Sequence, residues 1–159
     1  MKKLLFLLLL TNAAQAAPYS SAADNFTANF PGKVSTRAEG DMRAYSTPDG
    51  KGIYGIAVFH GKGCRNRYEM LKLVKQKDPK ARLVAKEIQF GKSALPGLDL
   101  SGLDEGGIPM VARIVSAKDR SYLIVCTNYD MTVGQKFVNS FHINEAAPPA
   151  PKKPARRKK

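Results

Sequence analysis

Sulfur and imidazole are scarce in this chain. Two cysteines, Cys64 and Cys126, and two histidines, His60 and His142, are all that 159 residues contain. So few cysteines exclude a scaffold stapled by many disulfides. The long interval between them excludes a Cys-x-x-Cys redox pair. The same four residues match no zinc-site spacing, so no metal and no cofactor is expected. After the N-terminal segment there is no second long apolar run, which leaves no candidate transmembrane helix in the remainder. Strands and helices do not alternate regularly, which excludes a doubly wound parallel sheet.

What the chain does have begins with Met1-Lys2-Lys3 followed by the apolar run Leu4 to Leu10 and a stretch of small residues through Ala14-Gln15-Ala16. Two lysines, an apolar run too short to span a bilayer and small residues at both specificity positions predict a secretory signal peptide over residues 1–17. A periplasmic or secreted location follows as the expectation. The remaining 142 or so residues suit one domain with a substantial core.

The net charge of +13 is unevenly spread. Lys152, Lys153, Arg156, Arg157, Lys158 and Lys159 crowd the last residues with no acid among them, whereas residues 18–151 carry 18 basic and 13 acidic side chains. Residues 146–159 contain four prolines and no aliphatic side chain larger than alanine, too little to offset the entropy of ordering. The expectation is a disordered arm following a globular domain over 18–145, with those six cations contacting an anion. Outside the cytoplasm the anionic candidates are wall polymers, lipopolysaccharide, lipid headgroups and extracellular nucleic acid.

An even cysteine count in an oxidising compartment predicts one disulfide, Cys64–Cys126, closing a loop of roughly 63 residues. The sharper alternative is a Cys64 nucleophile with His60 or His142 as its base, because His60-Gly61-Lys62-Gly63-Cys64 sets a histidine, a lysine and glycines beside the thiol. No catalytic-family context surrounds Cys64, and non-enzymatic function is the expectation.

Hydrophobic periodicity divides the domain. Asp24 to Val34 alternates Phe26, Ala28 and Phe30 against polar residues and reads as one strand ended by Pro31-Gly32. A short strand at Asp41 to Ser46 precedes the turn Thr47-Pro48-Asp49-Gly50, and Ile53 to Phe59 reads as a central strand. Tyr68, Leu71 and Val74, with Met70 beside them, predict a helix over Arg65 to Lys77, its Lys72, Lys75, Gln76 and Lys77 face solvated. Ala81 to Phe90 reads as a strand. The glycine-rich Leu95 to Gly107 reads as a short strand and loop whose Asp99, Asp104 and Glu105 lack the spacing of a calcium loop. Pro109 to Val115 and Ser121 to Thr127 predict a hairpin. A capping box at Thr132 to Gln135 then predicts a helix from Val133 to about Phe141, burying Val133, Phe137, Val138 and Phe141. The sum is an α+β domain, one antiparallel sheet packed by about two helices.

Phe26-Thr27-Ala28-Asn29-Phe30-Pro31-Gly32-Lys33-Val34, the Ile53 to Phe59 strand, Tyr122-Leu123-Ile124-Val125 and Gln135 to Ile143 together resemble small exported bacterial proteins of the PsbP-like fold. That resemblance implies an α+β sandwich and a non-enzymatic binding or assembly role, and it supplies no active-site motif. The expected function is a non-catalytic exported binding protein tethered by its basic arm. The alternatives are an accessory subunit of an envelope complex and, further off, a small Cys/His-dependent enzyme.

Overall fold

The structure is a computed structural model describing residues 18–144. Residues 1–17, expected to form a signal peptide, and the six tail cations lie outside the described residues. Ten strands form two sheets. Two sequential meanders build a seven-stranded antiparallel sheet. The first is β3 (Ser35–Glu39), β4 (Met42–Pro48) and β5 (Gly52–His60). The second is β6 (Arg82–Phe90), β7 (Leu95–Leu103), β8 (Pro109–Ser116) and β9 (Arg120–Asn128). They join through β5 and β9, giving the order β3-β4-β5-β9-β8-β7-β6. A small sheet of β1 (Tyr19–Ser21), β2 (Phe26–Ala28) and β10 (His142–Ile143) packs over one face.

This arrangement overturns the α+β expectation: it is a β-rich sandwich with two short helices among the described residues, α1 (Arg67–Lys77) and α2 (Met131–Asn139). The difference lies in glycine and polar residues that occupy strands without the apolar alternation of strands. Leu95 to Gly107 looks like a loop, yet nine of its residues are β7, paired with β6 and β8 along its length. A Cβ on Gly102 would lie 1.8 Å from the Arg82 carbonyl oxygen, and one on Gly97 would lie 2.7 Å from that of Ile114. Glycine here permits close approach of neighbouring strands rather than a turn. The fully exposed β3 has no apolar alternation to betray it. Conversely, the Asp24 to Val34 segment is strand only at β2, although Phe26, Ala28 and Phe30 are all buried as the alternation requires.

Alternation sorts each central strand onto two cores. Tyr54, Ile56 and Val58 of β5, Val111 and Val115 of β8, and Tyr122, Ile124 and Cys126 of β9 face the small sheet and α2. Leu98, Leu100, Ala112 and Ile114 face α1, with Phe59, Leu123 and Val125 beside them. The first core is rich in rings: Phe26 meets Tyr45 edge-on at 5.0 Å, and Phe137 stands between Phe30 at 5.1 Å and Tyr54 at 5.3 Å.

Asp24, in the turn between β1 and β2, fastens the two sheets. Its carboxylate is fully buried. Arg43 Nη1 donates to both oxygens at 3.2 Å, Tyr45 donates to Oδ2, and His60 Nε2 lies 2.8 Å from Oδ1. The Asp24 carbonyl accepts from the Tyr122 hydroxyl at 3.0 Å. One turn residue thereby holds β4, β5 and β9. Asp24→Ala strands the buried Tyr45 hydroxyl and removes the acceptor shared by Arg43 and His60, and is expected to lower stability by about 2 kcal/mol, read as a lower urea midpoint. An unchanged midpoint would remove the clamp.

Candidate functional site

The chain leaves β5 near the middle of the large sheet and re-enters at its far edge as β6. α1 makes that crossing, contacting β7 and β8. Asn66 caps its start with a complete capping box: its side chain accepts from the Tyr68 and Glu69 amides, and Glu69 accepts from the Asn66 amide. The predicted stripe is rotated. Tyr68 is 53% exposed and bonds Glu87 of β6, while Met70 is the one helix residue fully buried. Anchored by Met70, the helix stands off from the sheet and covers a cavity of about 490 Å³.

Ala57, Phe59, Leu123 and Val125 form the cavity's sheet wall, and Met70, Leu73 and Val74 its helix wall. Charge enters at the helix ends alone, from Arg65 at one and Lys77 and Asp78 at the other. Asp78 Oδ2 accepts the Glu105 amide at 3.3 Å, whereas Oδ1 is buried without a hydrogen-bond partner among the described residues. Most buried polar atoms are paired, and Arg67 Nε at the other end of the helix is likewise buried without a partner among the described residues, so both orphans lie in the protein beside α1 and not on the apolar cavity wall. Neither the cavity nor Asp78 was legible in the sequence, since the wall is assembled from residues up to 83 positions apart, Met42 to Val125.

A second cleft of about 510 Å³ lies between the β6–β7 turn and the end of α2, lined by Lys92, Arg113, Asn139 and His142 among others. Its central cation is already occupied: Arg113 grips Asp99 through Nε at 2.6 Å and Nη2 at 2.9 Å. The acids grouped in the sequence do not converge. Asp99 serves Arg113, and Asp104 accepts the Ile108 amide at 2.8 Å within its own loop. Among the described residues no cluster of three or more His, Cys, Asp or Glu side chains could hold a metal ion.

Cys64 and Cys126, expected to be bonded, are both free and are not brought together. Cys64 Sγ accepts from Ser121 Oγ at 3.4 Å on the α1 side of the sheet. Cys126 faces the other way, 3.5 Å from where a Cβ on Gly134 of α2 would stand. Ser121 and Cys126 are five residues apart on β9, which is roughly 17 Å and opposite faces. A disulfide needs Cα atoms within about 7 Å. The proposed thiol–base pairs are likewise not assembled: His60 is committed to Asp24 on the small-sheet face, and His142 sits on β10. Among the described residues no helix is long and apolar enough to cross a membrane.

Burial pushes the Cys126 thiol up from 9.0 to about 11, with the Asp49 carboxylate adding to the effect. Burial likewise pushes the Tyr122 phenol from 10.0 to about 12. Both groups hold their protons more tightly folded than unfolded. Their contribution is complete below pH 9 and is lost as pH rises through about 11 and 12. The thermal midpoint should therefore be insensitive to these groups up to pH 9 and fall above it. At pH 8, iodoacetamide should label Cys64 in the folded protein and Cys126 only in denaturant; mass spectrometry finding no alkylatable thiol would overturn the separation of the two sulfurs. No protein-family model matches this chain and no curated protein matches it, so the chemistry of the site rests on these side chains themselves.

Proposed function

We propose that this protein is a non-catalytic binding protein that holds a small, largely apolar ligand between α1 and the seven-stranded sheet, while its basic C-terminal arm attaches it to an anionic surface outside the cytoplasm. The observation that carries the reading is the cavity under α1. At about 490 Å³ it falls within the range of small-molecule sites, roughly 300–1,000 Å³. Its walls are apolar side chains, and a cavity so lined favours an apolar guest over water. A helix buried through one methionine is also an element that can yield to admit a ligand.

Charge supports the second half. Lys152, Lys153, Arg156, Arg157, Lys158 and Lys159 concentrate six cations in eight residues without an acid, a density that binds polyanions by releasing counterions. The arm supplies attachment without shape, so lysine–arginine exchanges leave it working and alanines do not.

Two measurements test the halves separately. Val125→Phe and Ala57→Leu, which fill the cavity from the sheet side, are expected to weaken binding of the neutral dye N-phenyl-1-naphthylamine by about tenfold, or on the order of 1.4 kcal/mol. Dye binding that is unchanged by both substitutions sinks the cavity as the site. Removing residues 152–159 is expected to abolish a log–log salt slope of about −5 for binding duplex DNA, used here as a polyanion probe. A slope that survives the truncation transfers the anion contact to the domain.

A further inference from the structure

The cavity under α1 has a definite length, on which sheet and helix agree. Among its lining residues, Phe59 lies opposite Ser121 of β9 and Met110 opposite Thr127. Those two levels are six positions apart along β9, or about 20 Å. On the other wall, α1 with its caps runs from Asn66 to Asp78, a rise of about 18 Å. A volume of about 490 Å³ drawn out over that length is a slot much longer than it is wide.

Between its ends the slot offers no polar side chain. Ala57, Phe59, Leu123 and Val125 face Leu73 and Val74 across it, and charge is confined to the helix ends, where Arg65 and Lys77 are exposed to solvent. Three of the four methionines that follow Met1, namely Met42, Met70 and Met110, also line it. Unbranched thioether side chains adjust to guests of differing shape. The helix leans on β7 and β8, so the flank of the slot over β5 stays open and the four sheet-wall side chains are only half-buried. Apolar surface left in water gains from whatever hydrocarbon covers it.

Building on the cavity reading above, we infer that the ligand is a lipid with one extended alkyl chain, selected by the length of that chain, with its polar head left in water at a helix end. An extended chain advances about 1.25 Å per carbon, so a slot of about 20 Å takes roughly sixteen carbons. A head group drawn inside would lose its water and find no partner. A compact ring system would leave most of the length uncovered. Fatty acids and lysolipids share the methylene chain and differ in the head, which the slot does not contact.

Displacement of N-phenyl-1-naphthylamine from the purified protein by n-alkyl phosphocholines, each below its critical micelle concentration, measures the slot. Affinity is expected to rise about threefold per added carbon and to level off near roughly sixteen. Tetradecyl maltoside and tetradecanoate are expected to compete within about threefold of tetradecyl phosphocholine, because the charges at the slot's ends are screened by solvent. Val74→Trp, which obstructs the slot near the end of α1, is expected to bring the plateau down to about twelve carbons and leave the octyl probe unchanged. Met110→Trp obstructs the same end from the sheet, and it serves if the helix variant does not fold by circular dichroism. Affinity without a plateau, a plateau that neither substitution moves, a larger head-group effect, or 1-adamantanol competing as well as the tetradecyl probe overturns the chain assignment yet leaves the cavity in place. A dye that does not bind, or that binds Val125→Phe as it binds the parent, overturns the cavity reading and the chain with it.

Discussion

The buried carboxylate of Asp24 is the constraint around which the two sheets are organised. A charged group with no solvent exposure is tolerated only with partners, and it draws them from strands distant in sequence: Arg43 and Tyr45 on β4, His60 on β5 and, through its carbonyl, Tyr122 on β9. Ser21 completes the ring by bonding both the Tyr45 hydroxyl and the Asp24 amide. Because the partners lie on three adjacent strands, the small sheet has a single position over the large one. The aromatic contacts of Phe26, Tyr45, Phe137 and Phe141 then fill the space that this position defines.

The same topology explains the cavity. Two meanders laid side by side need one long connection, from β5 in the middle of the sheet to β6 at its edge. α1 is that connection, and its basic outer face and single buried methionine make it a cover rather than a pillar of the core. By contrast, α2 packs closely on the opposite face, because Gly134 lets its backbone approach Val111 and Cys126 and because Phe137 and Val138 are buried. An apolar gap therefore opens under the length of α1, whereas the openings beside α2 lie at its end and along its rim. Binding capacity and tight packing are divided between the two faces of one sheet.

Much of the local structure was legible. The alternation of Tyr54, Ile56 and Val58 located a central strand, Pro109 to Thr127 a hairpin, and the Tyr68, Leu71 and Val74 spacing a helix ending at Lys77. The capping box of α2 was misplaced: Asp130, not Thr132, is the N-cap, with its side chain on the Thr132 amide. That of α1, Asn66 with Glu69, sits inside the span that the apolar stripe predicts from Arg65, so periodicity places the start two residues early. Within α2, Val133 is exposed and Gly134 buried, the reverse of what hydrophobicity alone suggests. The candidate site was the least legible part, since its walls come from β5, α1, β8 and β9 and meet only once the sheet has formed beneath the helix.

By itself the sequence determined what depends on neighbours along the chain: the period-two strands, the C-terminal end of α1, the inequality of charge between body and tail, and the scarcity of sulfur. Only the tertiary structure decided what depends on distance in space. It turned glycine-rich residues 95–103 into a strand because β6 and β8 flank them closely, and so made the protein a β-rich sandwich. It separated Cys64 from Cys126 because side chains at odd offsets along β9 face opposite sides of the sheet, a parity that an even cysteine count does not contain. And it left an apolar cavity beneath α1, because a crossing helix must reach the far edge of the sheet whether or not its side chains fill the space beneath.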